Sequence, residues 1–187
     1  MRNVPTLQVK LPYAGYRTPP KISLIRADSV AIWQFDFHLI PASSLRRRFP
    51  VMPITLPVEE YDRVDWWEGV DLLQPVAREL SELLPRGRPW NSEQETWGEE
   101  DGDRFDVLRD GPQISEMYGR LDVRRPSLQF LNRIVEIARR HDLLIVTEDR
   151  HVLRPTMKEL LAAIHRSRSF AFVIDPEGFL NRLADAE

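Results

Sequence analysis

Cysteine is absent from this chain of 187 residues. Its absence excludes a disulfide framework, a thiolate nucleophile and a zinc site with cysteine ligands, and it fits a reducing cytoplasm. The chain has no run of eighteen apolar residues, and residues 1–10 lack the apolar core of a signal peptide. The sequence therefore predicts a cytoplasmic protein that is neither exported nor inserted into a membrane.

Familiar catalytic and cofactor-binding motifs are also missing. The sequence contains no HExxH metal-binding pair, no GxSxG nucleophile elbow, no Walker phosphate loop and no GxGxxG dinucleotide motif. The eight glycines are not clustered, so a glycine-rich phosphate cradle is not expected. We therefore expect no cofactor.

Charge is divided unevenly along the chain. Residues 59–106 contain fifteen Asp or Glu, five Arg and no Lys, whereas the remaining residues contain fourteen acidic and 21 basic side chains. The net charge of −3 thus combines an acidic segment at −10 with a remainder at +7. A surface of one sign attracts partners of the opposite sign. The acidic segment, residues 59–106, is therefore predicted to bind a basic protein.

The predicted binding residues combine apolar anchors with charges that steer association. Four of the five tryptophans lie in the acidic segment, and tryptophan is frequent among side chains that dominate binding energy. The candidate partner-binding residues are Trp66, Trp67, Trp97, Glu99, Glu100, Asp101 and Asp103. The alternative is that the tryptophans fill the core while the acidic residues keep loops soluble.

Hydrophobic periodicity predicts an α+β fold. The most regular pattern, at residues 29–40, alternates apolar and polar side chains as a half-buried strand does. Two further strands are predicted around the turn-forming pair Asp110-Gly111. Apolar stripes predict helices at residues 71–84, 126–140 and 156–166. The order of elements after residue 104 predicts a mixed, mainly antiparallel sheet with helices packed largely on one face.

The length suits a single α+β domain over residues 1–187. Four prolines predict an extended connector at residues 41–58, because proline disfavours helix interiors and central strands. Residues 85–103 are predicted to include an acidic loop, and residues 22–26 a short strand. Residues 1–57 either join the main sheet or form an N-terminal sub-lobe.

One pair of residues indicates a catalytic alternative. Asp36 and His38 are two positions apart on the predicted strand at 29–40, so their side chains point to the same side. A carboxylate placed in this way can orient an imidazole, or both groups can meet a metal. The pair would suit a small metal-assisted hydrolase. The competing interpretation is the solvated face of a half-buried strand.

Two other groups of charged residues have structural explanations. Glu116, Asp122, Glu148 and Asp149 are of the type that binds divalent cations, but alternating charges along a strand more often form lateral ion pairs. The basic run at residues 46–48 lies near the acidic segment, which would repel a nucleic acid. We therefore expect neither a metal nor a nucleic-acid partner.

Several short motifs occur between residues 90 and 183. They are Trp97-Gly98 before the hairpin, the strand Gly119-Arg120-Leu121-Asp122-Val123-Arg124, and later Ser167-Arg168-Ser169-Phe170, Asp175-Pro176 and Phe179-Leu180. With these motifs the second half of the chain resembles immunity proteins of bacterial polymorphic and contact-dependent toxin systems. That resemblance implies a small cytoplasmic protein that binds a cognate toxin, and it implies no catalytic residues.

The leading hypothesis is therefore a non-enzymatic protein-binding protein, of the immunity type, whose acidic surface covers a basic partner such as a toxin nuclease. An acidic inhibitor can imitate the phosphates that a nuclease binds, which gives fast and salt-sensitive association. Two alternatives stay open. One is the hydrolase that uses Asp36 and His38, and the other is an oligomerising module in which opposite charges of two copies meet.

Overall fold

All strands in the described part of the chain belong to one antiparallel sheet. The structure is a computed structural model that describes residues 31–185. Its strands are β1 (Gln34–Pro41), β2 (Gln94–Gly98), β3 (Arg104–Asp110), β4 (Gln113–Asp122), β5 (Leu143–Thr147) and β6 (Val152–Leu153). They lie side by side in the order β2-β3-β4-β1-β5-β6. Because β1 is central, residues 34–41 are part of the main sheet.

Helices account for 39% of the described residues and strands for 26%, which confirms the predicted α+β class. The helices are α1 (Ala42–Arg48), α2 (Val58–Arg63), α3 (Leu73–Ser81), α4 (Leu128–Arg140), α5 (Met157–Arg166), α6 (Arg168–Ile174) and α7 (Pro176–Ala184). Among these helices of residues 31–185, none combines the length and the apolar character needed to cross a bilayer. The predicted strand at residues 22–26 lies outside the described residues.

The alternating pattern of β1 forms the centre of the hydrophobic core. Phe35, Phe37 and Leu39 are at most 1% exposed, as expected for the inward face of a strand. The ring of Phe37 also lies 6.3 Å from that of Phe130 on α4, measured between ring centres. The apolar stripe of α4 is thereby held against the sheet.

A glycine on β4 makes room for this packing. Gly119 lies opposite Phe37 in the register of β1 and β4. A Cβ atom at position 119 would approach the Phe37 ring more closely than van der Waals contact allows. Since Phe37 is wholly buried, its ring has no free space into which it can move.

Hydroxyl side chains begin three of the helices. Ser127, Thr156 and Ser167 each accept a hydrogen bond from the N–H group three residues later, at distances of 3.1–3.2 Å. Such caps satisfy N–H groups that have no partner inside the helix. The cap at Ser167 also explains why residues 168–174 form a helix.

Two predicted irregular segments contain regular structure. Within residues 41–58, Pro41 ends β1 and directly precedes α1, because its φ of −62° suits the entry to a helix. Arg46 in the last turn of α1 pairs with Asp142 at 2.6 Å.

Residues 94–98, predicted as part of an acidic loop, form β2, with Thr96 opposite Asp106 on β3. The predicted hairpin at Asp110-Gly111 is confirmed.

We predict that Gly119→Ala lowers the free energy of unfolding by about 1–3 kcal/mol, because the added methyl group overpacks the core against Phe37. Urea unfolding monitored by circular dichroism measures this change. The matched double variant combines Phe37→Leu with Gly119→Ala. Its loss in free energy of unfolding should be smaller than the sum of the losses of the two single variants. Simple additivity would contradict the proposed clash.

Candidate functional site

The acidic segment does not form a single patch. Asp65, which follows α2, lines a cavity together with Asp110 at the turn between β3 and β4. Residues 99–103 instead form the turn between β2 and β3, at the opposite end of β3. Seven residues of β3 separate the two ends by roughly 20 Å. Asp65 and residues 99–103 of the acidic segment therefore lie at opposite ends of the sheet.

Five of the fifteen acidic residues in the segment have cationic partners. The pairs are Glu60–Arg48, Glu79–Arg140, Glu82–Arg133, Glu95–Arg86 and Asp106–Arg104. The other ten have no arginine, lysine or histidine nitrogen within 4.0 Å in the described part of the chain. Three of these ten, Glu99, Glu100 and Asp101, lie next to one another and are exposed.

We use the name acidic turn for residues 99–103, whose backbone is held from within. The N–H group of Glu99 donates to the carbonyl of Asp103, and that of Gly102 donates to the carbonyl of Glu99, both at 3.3 Å. Gly98 enters the turn with a φ of +88°, and a Cβ there would meet the Asp103 carbonyl. Only glycine adopts this conformation without strain.

Side chains from other elements fix the acidic turn from outside. The amide of Gln34 on β1 donates to the carbonyl of Glu100 at 3.1 Å, and the guanidinium of Arg124 donates to the carbonyl of Asp101 at 3.1 Å. These bonds occupy backbone oxygens and leave the carboxylates of both acidic residues exposed. The acidic turn therefore presents its charges on a fixed backbone.

Asp103 has a structural role within the acidic turn. Its carboxylate accepts a hydrogen bond from the N–H of Asp122 on β4 at 3.0 Å, and it is only partly exposed. Burial raises the pKa of Asp103 above its ordinary value, although the hydrogen bond opposes that shift. Of the four predicted steering acids, Glu99, Glu100 and Asp101 are therefore the exposed ones.

The three tryptophans predicted as partner contacts lie in the core. Trp66, Trp67 and Trp97 are 6%, 2% and 0% exposed, so the alternative interpretation as core residues describes them. The indole N–H of Trp97 donates to the hydroxyl of Ser81 at 2.9 Å, and that of Trp66 donates to the carbonyl of Tyr61 at 3.1 Å. In this conformation they offer almost no surface to a partner.

Trp90 is the exposed tryptophan of the acidic segment. Its side chain is 56% exposed and borders a groove of about 530 Å³ that Glu99, Glu100 and Arg88 also line. The guanidinium of Arg104 lies 5.2 Å from the centre of the indole ring. We call this surface the Trp90 groove. A sequence signal for it exists, since Trp90 follows Pro89 outside every amphipathic stripe.

Asp36 and His38 point to the same face of β1 but have different partners. Asp36 Oδ1 lies 3.4 Å from Arg120 Nε, whereas His38 Nδ1 lies 2.9 Å from Glu116 Oε1. Burial raises the pKa of Asp36, and the charge of Arg120 opposes this shift. The predicted pair is thus divided between two interactions, and His38 lines a cavity.

The face of the sheet that carries Asp36 is buried as well, although the sequence suggested a solvated face. Arg104 and Arg120 stand opposite each other on β3 and β4 and are 3% and 2% exposed. Asp106, which is 0% exposed, accepts hydrogen bonds from Arg104 at 2.7 and 3.0 Å. Each buried guanidinium therefore has one carboxylate beside it.

Several of the residues weighed as metal or phosphate ligands form ion pairs within residues 31–185. Within residues 31–185, no three His, Cys, Asp or Glu side chains come together as metal ligands. Asp122, one of the predicted carboxylates, is engaged by Arg124 at 2.9 Å. In the basic run, Arg46 pairs with Asp142 and Arg48 with Glu60.

Comparison with known proteins gives no match, whether to a protein-family model, to a curated protein or to a solved structure. The functional assignment therefore depends on the geometry of the chain itself.

We predict that Asp36→Asn lowers the free energy of unfolding by about 3–5 kcal/mol, because Arg120 is then buried without a neutralising charge. Chemical denaturation at neutral pH measures this loss. The double variant Asp36→Leu with Arg120→Met should recover most of the stability, since it removes both charges. A tolerated Asp36→Asn change would contradict this role.

We predict that the pair of Asp122 and Arg124 stabilises the fold in a pH-dependent manner. Hydrogen bonds from Arg124 lower the pKa of Asp122 below its ordinary value. The folded state therefore gains stability above the ordinary carboxyl pKa and loses it as the pH falls through the lowered pKa. Arg124→Gln should shift acid unfolding, followed by circular dichroism, to higher pH. The difference in stability between wild type and variant should become smaller as Asp122 is protonated in both proteins, since Arg124 keeps its bond to the Asp101 carbonyl.

Proposed function

We propose that this protein is a non-enzymatic binding protein that recognises a basic protein partner through the acidic turn and the Trp90 groove. The observation that carries this proposal is that three neighbouring exposed carboxylates have no cationic partner in the described chain, and that two of them, Glu99 and Glu100, line a groove with the exposed indole of Trp90. Charge and apolar surface lie together here, which is the composition of an interface with an anchor and a charged rim.

The fixed backbone of the acidic turn supports this function. Residues that are already ordered lose little conformational entropy when they bind. Five hydrogen bonds hold residues 99–103 before any partner arrives. The cost of maintaining neighbouring like charges in the free protein is also relieved when a cationic partner binds.

The charges favour a partner with a basic active surface. Glu99, Glu100 and Asp101 are presented in sequence on one turn, as phosphates are along a nucleic-acid strand. A basic enzyme such as a toxin nuclease would be covered by such a surface, as the resemblance to immunity proteins implies. Association of this kind is fast and weakens as salt is added.

Trp90 supplies the apolar part of the interface in place of the three buried tryptophans. Exposed tryptophan beside charged residues is typical of positions that dominate binding energy. Arg88, which is exposed at the same groove, adds a single positive charge to the rim. A fitting partner therefore carries a basic surface with an acidic group that can face Arg88.

We predict that Glu99→Lys, Glu100→Lys and Asp101→Lys together slow association with the partner about tenfold or more at low salt. The partner to test is the product of the neighbouring gene, because immunity proteins are encoded beside their toxins. Surface plasmon resonance at several salt concentrations measures the rate. The matched control reverses Glu59, Asp62 and Glu68, which are exposed acids of the same segment near α2.

Both triple variants change the net charge equally, so their comparison separates a local surface from total charge. The proposal requires a large effect at the acidic turn and a small one near α2. Equal effects of the two variants, or no effect of either, would contradict it.

We predict that Trp90→Ala weakens the same complex by about 2 kcal/mol or more, mainly through faster dissociation. Because Trp90 is exposed, the free variant should keep the unfolding midpoint of the wild type. Dissociation rates by surface plasmon resonance and a thermal melt check both expectations. An unchanged dissociation rate would exclude Trp90 from the interface.

A further inference from the structure

A second candidate site lies at the other end of β3. A partly open cavity of about 120 Å³ lies between the sheet and the end of α2 with the residues that follow it. Tyr61 and Trp66 line it, with ring centres 6.2 Å apart, and Ile40 and Leu108 add apolar surface from the sheet. Drug-sized ligands need about 300 Å³ or more, so this cavity suits a side chain or a small molecule.

The polar side chains that line the cavity include three carboxylates, together with those of His38, Gln113 and Ser115. Glu116, Asp65 and Asp110 line it, and no lysine or arginine is among the described residues that do so. Nδ1 of His38 lies 2.9 Å from Oε1 of Glu116. That contact is short but poorly aligned, because Nδ1 makes no hydrogen bond of good geometry within the described chain. The carboxylate therefore keeps acceptor capacity for another donor.

Aromatic rings and carboxylates together favour one class of ligand. A cation over the face of an aromatic ring is attracted by the ring quadrupole, and the attraction grows as water is excluded. A buried cation also requires a carboxylate nearby to offset its lost hydration. The phenol of Tyr61 remains neutral, because burial and the charge of Glu116 raise its pKa above the ordinary value.

We propose that this cavity binds an alkylammonium or alkylguanidinium group, with the cation at Glu116 and the apolar stem against Tyr61 and Trp66. The ligand is either a free amine or the side chain of a lysine or arginine from another protein. This site is independent of the acidic turn, which lies roughly 20 Å away along β3. Failure of one proposal leaves the other unaffected.

The test uses n-butylamine and N-methylguanidine, both protonated at neutral pH, with n-butanol as a neutral control and butyrate as an anionic one. Titrations of the isotope-labelled full chain are followed by two-dimensional amide NMR. The proposal expects saturable shifts at Tyr61, Trp66 and Glu116 with the two cations. Equal shifts with butanol or butyrate would overturn it, since the charge would then be irrelevant.

Glu116→Gln keeps the shape of the side chain and removes its charge. It should weaken binding of both cations about tenfold or more, as expected for a lost charge-assisted hydrogen bond. The matched control, Glu99→Gln in the acidic turn, should leave the affinity unchanged. Unchanged binding to a folded Glu116→Gln variant would overturn the proposal. Should that variant not fold, Asp110→Asn at the exposed rim replaces it, with a smaller loss expected.

Two peptide probes separate the sources of the cation. Acetyl-Gly-Lys-Gly-amide and acetyl-Gly-Arg-Gly-amide present the same groups on a polypeptide backbone. Tighter binding of either peptide than of the free amines would assign the cavity to a protein side chain. Tighter binding of the free amines would assign it to a small metabolite, and the absence of binding by all four cations would end the proposal.

Discussion

Two guanidinium groups buried side by side form the constraint on which the rest of this structure depends. Arg104 and Arg120 face each other across β3 and β4, and like charges in this position repel strongly away from water. Asp106 and Asp36 offset them from β3 and β1. Arg104 and Asp106 neutralise each other within β3, whereas Arg120 and Asp36 tie β4 to β1, and a shift of register by one residue between β1 and β4 would separate that pair.

The same constraint positions the candidate interface. Arg104 is the first residue of β3 and directly follows the acidic turn, so fixing its guanidinium fixes where residues 99–103 emerge from the sheet. Its guanidinium also lies near the ring of Trp90, which links the buried charges to the exposed groove. A rigid core of ion pairs thereby supports a surface whose own carboxylates lack cationic partners in the described chain.

Sequence patterns were sufficient where one face of an element is apolar. The alternation in β1 and the stripe of α4 identified both elements, because each buries one face. These patterns did not identify β2, because its inward side chains include the polar residues Gln94 and Thr96. Hydrogen bonds to Asp106 allow both to be buried. The sequence identified the exposed acidic residues 99–101. It did not show that Trp66, Trp67 and Trp97 are buried, because their burial depends on contacts with residues distant in the chain.

The most direct measurement is hydrogen–deuterium exchange of the chain, free and in complex with its basic partner. The account predicts that the backbone amides of Arg88, Trp90 and residues 99–103 gain protection on binding, while those of the core strands are already protected in the free protein. Protection confined to residues 58–72, or to the β5–β6 edge, would contradict the central claim that the acidic turn and the Trp90 groove form the interface.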